Sequence, residues 1–204
     1  MAICFWSIMS KANNFQKIRQ LTFVQQGALA LTVLERMAPN YELFSESLSF
    51  GDWTELRNVL NSSWEKLAIP KAKISIERLV EKVEDNTPDL AEFDVFGVYP
   101  AIDFCTALIT FFSGVQDKEA ANFLDVCKIS QASVAKFIEY SLTASGELAD
   151  NEAVRNHPLM QYEMEVLGEF IDAIAAISRF EMSDVKKLKT LALEDGQSNL
   201  GIEV

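Results

Sequence analysis

The sequence predicts an all-α fold, a single-domain bundle of about seven helices with no sheet. Apolar residues recur at three- and four-residue spacing through most of the chain, as in Trp53, Leu56, Leu60, Trp64 and Leu67. That spacing lines one face of a helix. No stretch shows sustained period-two alternation of β-branched residues, the pattern a half-buried strand needs. The 204 residues suit one domain, which at this size buries roughly 70% of its unfolded surface. No repeat, low-complexity run or linker divides them.

In chain order, residues 14–37 read as a first long helix, apolar on most of its circumference from Leu21 to Leu34, with Gly27 placed for close approach of a neighbour. Pro39-Asn40 is expected to stop it, and a short helix over 41–48 follows. Phe50-Gly51-Asp52 reads as a turn, with Asp52 capping the helix that carries Trp53 and Trp64. After Pro70, Ser75 caps a helix that turns Ile76, Leu79, Val80 and Val83 inward and Glu77, Glu81 and Glu84 outward.

Residues 86–98 form the longest irregular stretch, and Pro100 opens an apolar helix that Gly114 closes. Asp117 caps the next helix, whose apolar stripe includes Phe123, Cys127, Val134 and Ile138, with Lys128 and Lys136 opposite. Residues 146–156 read as a polar connection with a short turn at most. His157-Pro158 suits the start of a helix over 159–179. A last helix over 183–195 ends at Gly196, and 197–204 form an extended tail that packs Leu200 and Ile202 on the core.

The single domain is read over residues 1–204, with 1–12 as a disordered segment or an extension of it. Their apolar run, MAICFWSIM, is too short to span a bilayer and has no basic region before it. Met9 offers an alternative start.

Charge excludes some partners. Eighteen Lys and Arg against thirty Asp and Glu give a net charge of −12. Nucleic acid binding draws its affinity from cationic side chains on phosphates, and anionic lipid repels such a chain, so neither is expected as a partner. The charge is uneven. Residues 1–34 hold three basic side chains and no acid, whereas 83–117 hold seven carboxylates (Glu84, Asp85, Asp89, Glu92, Asp94, Asp103 and Asp117) and no Lys or Arg. The segment reads either as a patch for a cation or a basic partner, or as a solvated acidic loop with helix caps. EF-hand spacing is absent from it.

Motif chemistry is sparse. The chain has no P-loop, no G-x-G-x-x-G after a strand, no H-E-x-x-H and no G-x-S-x-G elbow. His157 is the only histidine, so a His-rich metal site within one subunit is excluded, and neither metal nor cofactor is expected. The three cysteines, Cys4, Cys105 and Cys127, lack CxxC spacing, and the latter two sit in apolar stripes as small hydrophobes. Cys105 with His157 is the remaining nucleophile–base combination of that kind.

Asp103 draws attention because it lies among Ala101, Ile102, Phe104 and Leu108. A carboxylate there needs a partner. It stabilises its own helix N-terminus, pairs with an arginine such as Arg36, or serves a ligand.

Four stretches are similar to a known family. They are Leu34-Glu35-Arg36-Met37-Ala38-Pro39-Asn40-Tyr41, Phe50-Gly51-Asp52, the run from Phe93 through Gly97-Val98-Tyr99-Pro100-Ala101-Ile102 to Asp103, and Ser198-Asn199-Leu200-Gly201-Ile202. In this order they resemble the YjaG-like family of bacterial proteins of unknown function, over nearly the whole chain from about Phe15 to Ile202. Ala38 departs from the family pattern, which has an aromatic residue there, and the apolar first dozen residues have no counterpart. The resemblance implies a bacterial, cytoplasmic, helical protein. It implies no activity and no catalytic residue.

Two functions follow as expectations. The preferred one is a non-catalytic binding or interaction protein, monomeric or a homo-oligomer, that meets a protein partner through an acidic surface. The alternative is a small-molecule enzyme or ligand-binding protein with a carboxylate-lined pocket where the 93–103 loop meets the 35–41 corner. In that version Glu35, Asp94, Tyr99 and Asp103 converge, with Arg36 as a further candidate binding residue.

Overall fold

The structure, a computed structural model, describes residues 13–69 and 71–204. The expectations for residues 1–12, including Cys4 and the Met9 start, and for Pro70 lie outside the described residues. The helices are α1 (Asn14–Ile18), α2 (Phe23–Leu48), α3 (Trp53–Ala68), α4 (Ile76–Asp85), α5 (Val98–Asp117), α6 (Ala120–Ala144), α7 (Asn151–Asn156), α8 (Pro158–Ala175) and α9 (Met182–Ala192), with a 3-10 turn at Leu90–Glu92. Among the described residues the only β-type pairing is an isolated antiparallel bridge between Gln197 and Glu203. The all-α, single-domain reading holds.

Helix α2 forms the axis of the bundle, packed by α3, α5, α6, α8 and α9. Every residue from Gln26 to Tyr41 is buried, as expected of a helix apolar on most of its circumference. Gly27 lets α3 and α6 close on it. A Cβ there would lie 2.9 Å from Leu67 Cδ1 and 3.5 Å from the Phe123 ring. Helix α5 is long and apolar enough by composition to cross a membrane, yet 56% of its apolar window is buried, and it packs against α2, α4 and α6.

Several boundaries differ from the sequence expectation. The first long helix is two helices, because residues 19–22 turn and Thr22 begins α2 with a capping box, its hydroxyl accepting from Gln25 N–H. Pro39 does not stop α2. The helix runs through it to Leu48, so the expected break and the separate 41–48 helix are one element. Gly114 lies inside α5 and is needed there for contact, since a Cβ would meet the Phe123 ring at 2.7 Å. Asp117 therefore ends α5 instead of capping α6, and Glu119 takes the N-cap position without a side-chain bond.

The 146–156 connection contains α7, capped by Asp150. Asp52 and Ser75 cap as expected, and His157, expected only as the loop residue before Pro158, caps α8 through Nδ1, which accepts from Leu159 N–H at 3.2 Å. Leu200 is buried in a small second cluster with Val134, Ile138 and Val154, and Ile202 packs against it.

Candidate functional site

The irregular loop before α5 is fixed at two points. Phe93 packs edge-on against Phe44 and Phe50, at centroid distances of 5.1 and 5.2 Å. Phe96 stacks on Tyr140 at 4.5 Å and touches Phe137 at 5.8 Å. Such pairs add to the area they bury. Between these anchors Asp94 and Val95 stand exposed.

A groove of about 320 Å³ runs where this loop meets the C-terminal half of α2. Helix α2 contributes Leu43, Phe44 and Leu48, and the loop and the start of α5 contribute Val95, Phe96 and Pro100. Phe137 of α6 and the tail residues Leu200 and Ile202 complete the lining. Leu43 and Val95 stand 47% and 45% exposed on facing sides of it.

The segments that build two of the walls carry one sign of charge. Residues 37–56 hold four carboxylates and no Lys or Arg, and 83–117 hold seven and none. Of these, Glu55 pairs with Lys82 and Asp103 with Lys136. Glu42, Glu46, Glu92 and Asp94 have no ion-pair partner among the described residues. Clustered like charge beside a low-dielectric wall focuses a negative potential.

The third wall depends on a buried polar latch. Asn199 N–H donates to the Arg36 carbonyl at 3.1 Å. Asn40 Nδ2 donates to Asn199 Oδ1 at 2.7 Å, and Asn199 Nδ2 donates to Ser130 Oγ at 3.0 Å. Arg36 fastens the same tail from the other side. Its guanidinium bonds Glu163 and Asp195 and donates to the carbonyls of Ala192 and Gln197. Burial would lower the Arg36 value, but hydrogen bonds to Asp195 and Glu163 outweigh it and hold the guanidinium firmly charged. Arg36 in turn holds Asp195 well below the usual carboxylate range. At the more buried Glu163, desolvation outweighs Arg36 and pushes the carboxyl up.

The five candidate residues fall into three places. Glu35 is 2% exposed and accepts from both Arg57 nitrogens, at 2.5 and 2.8 Å, and from Trp64 Nε1 at 2.7 Å, with Lys189 at 3.6 Å. Arg36 belongs to the latch. Lys136 brings Tyr99 and Asp103 together, lying 3.2 Å from Asp103 Oδ2 and 5.2 Å from the centroid of the Tyr99 ring. Asp94 stands alone on the loop. Asp103 is neither in the first turn of α5, which starts at Val98, nor paired with Arg36. None of Glu35, Asp94, Tyr99 and Asp103 lines the groove, whose walls are mostly apolar, with Asn40 and Ser47 as the polar exceptions.

Cys105 and Cys127 are buried and free. Burial pushes both thiols up to about 12, which suppresses the nucleophilic thiolate. Cys105 donates to the Asn86 carbonyl at 3.8 Å, while His157 caps α8. Among the described residues no three His, Cys, Asp or Glu side chains gather in a metal-binding group.

Sequence reasoning missed Asn40, Asn86, Glu163, Asp195 and Asn199. The Pro-Asn in α2 and the Ser-Asn-Leu-Gly of the tail were visible signals. Their meeting, 159 residues apart, has no periodicity to announce it.

A family model described as a protein of unknown function (DUF416) matches residues 13–203. The uncharacterized protein YjaG of Escherichia coli strain K12 is 30% identical over 187 residues, covering 91% of this chain and 94% of its own length. An uncharacterized protein of Haemophilus influenzae is 28% identical over 198 residues, with 96% of each chain covered. The crystal structure of a DUF416 family protein from Shewanella baltica superposes with a TM-score of 0.86 at 34% identity, covering 95% of this chain and 100% of that one. With the fold matched and the family model spanning nearly every described residue, this chain belongs to the DUF416 family.

Proposed function

We propose that this protein is a non-catalytic binding protein of the bacterial cytoplasm that meets a protein partner through its acidic face. The observation that carries this reading is the pairing of exposed apolar surface with uncompensated charge. Leu43 and Val95 lie open beside Glu42, Glu46, Glu92 and Asp94, and no Lys or Arg occurs in either segment that carries them. A solvated acidic face needs no exposed aliphatic side chains, and an interface core does. Self-association through this face is disfavoured, because a two-fold contact would set the carboxylates of one copy against those of the other.

The test is reconstitution. A partner recovered from the native cytoplasm is purified and mixed with the wild-type chain and with an E92Q/D94N variant at about 50 mM and about 500 mM salt. The reading expects a stoichiometric complex that weakens with salt and with the variant. Failure to reconstitute any complex at either ionic strength overturns it, as does a complex indifferent to both changes.

A further inference from the structure

We infer that the groove between the C-terminal half of α2, the 93–100 loop and the tail takes an amphipathic helix whose apolar stripe is flanked by Lys and Arg. The inference rests on the binding reading above and names the occupant of the same face. The groove's aromatic rings are already spent on one another, Phe44 on Phe50 and Phe93, and Phe96 on Tyr140. The most exposed apolar lining is aliphatic, Leu43, Leu48 and Val95, while Phe96, Phe137 and Ile202 are half-buried. Aliphatic walls accept the i, i+3, i+4 anchors of a helix, whereas Pro-rich segments need free aromatic faces. Strand addition needs a sheet edge, and the described residues form only one isolated bridge.

Charge sets the flanks of the occupant. Glu46 follows Leu43 by three positions on α2, and Asp94 precedes Val95, so a cation beside each apolar anchor meets a carboxylate without an ion-pair partner. The basic residue next to Phe137, Lys136, is committed to Asp103 and to the Tyr99 ring.

The experiment uses the full chain and three fluorescent peptides of about sixteen residues, long enough to hold a helix. They share one helical pattern and carry Leu with Lys, Leu with Glu, or Ser with Lys, and anisotropy is read at about 50 mM and about 500 mM salt. The Leu/Lys peptide is expected to bind, and the other two at least about tenfold more weakly. L43S/V95S, at two exposed positions, is expected to weaken the Leu/Lys peptide at least about tenfold with an unchanged melting temperature. E46Q/D94N is expected to weaken it and to reduce its salt dependence.

Equal binding of the Leu/Glu peptide, or Leu/Lys binding indifferent to L43S/V95S, overturns the inference. So does a fatty-acid probe that fills the groove at lower concentration than the peptide. A native complex lost in E92Q/D94N but intact in L43S/V95S would leave the acidic-face reading standing and sink the groove alone.

Discussion

The backbone N–H of Asn199 donates to the carbonyl of Arg36 at 3.1 Å, one turn before Pro39 in the middle of α2. A helix carbonyl at position 36 ordinarily bonds the N–H four residues on. A proline inside a helix removes one ladder bond and pushes its ring at the preceding turn. The carbonyl that Pro39 leaves without its ladder donor is that of Glu35, and the tail bonds the next one along, Arg36. The latch then holds Leu200 and Ile202 against α6 and completes the groove.

Removing the Asn199 side chain should loosen this junction. N199A strands Asn40 Nδ2 and the Ser130 hydroxyl, two buried groups, and should cost about 2–3 kcal/mol. Urea unfolding measures the loss. An unchanged midpoint would show that the tail contributes no stability through these bonds.

Glu35 should behave as a structural carboxylate. E35A leaves the buried Trp64 Nε1 without an acceptor and Arg57 with Asn61 alone and should cost about 2–3 kcal/mol. A variant that unfolds at the wild-type midpoint would free Glu35 for a role in binding.

The turn at Gly51 should be intolerant of a side chain. Its φ is +67°, and a Cβ would collide with the Tyr41 hydroxyl, which donates to the Asn86 carbonyl at 2.7 Å. G51A carries both the left-handed strain and the lost bond, and should destabilise by about 2 kcal/mol or more. Y41F loses the bond alone and should cost about 1 kcal/mol. Equal costs for the two would remove the steric argument.

Acid should weaken the latch through Asp195. Its hydrogen bond to Arg36 lowers its folded value, so its stabilisation is present above the unfolded value of about 4 and is lost as pH falls below it. Glu163 has the opposite sign, since burial raises it and its contribution declines as pH rises through the folded value. Urea midpoints of wild type and D195N should therefore differ at neutral pH and converge as pH falls below about 4. A gap that stays constant would show that Asp195 is not titrating in the latch.

The legible and illegible parts of the fold separate by range. Trp53 to Leu67, and the Asp52, Ser75 and His157-Pro158 starts, are decided by residues within one or two turns, and each could be read locally. Pro39 was misread as a stop because the burial of α2 on either side of it, against helices distant in sequence, outweighs one lost ladder bond. Gly114 was misread as a stop because Phe123, which fills the space beside it, belongs to the next helix. The candidate site divides the same way. The acidity of 83–117 is a property of composition. The separation of Glu35 from Asp103, and the choice of Lys136 as the partner of Asp103, are set by how α2, α3, α5 and α6 pack.

Hydrogen exchange on the reconstituted complex tests the account most directly. If the groove and its acidic border form the docking surface, partner binding should slow exchange at the backbone amides of 93–98, between the Phe93 and Phe96 anchors and α5. Amides of α8 and α9, which do not line the groove, should be unchanged. Protection confined to α8 and α9, with 93–98 exchanging as in the free chain, would contradict the account.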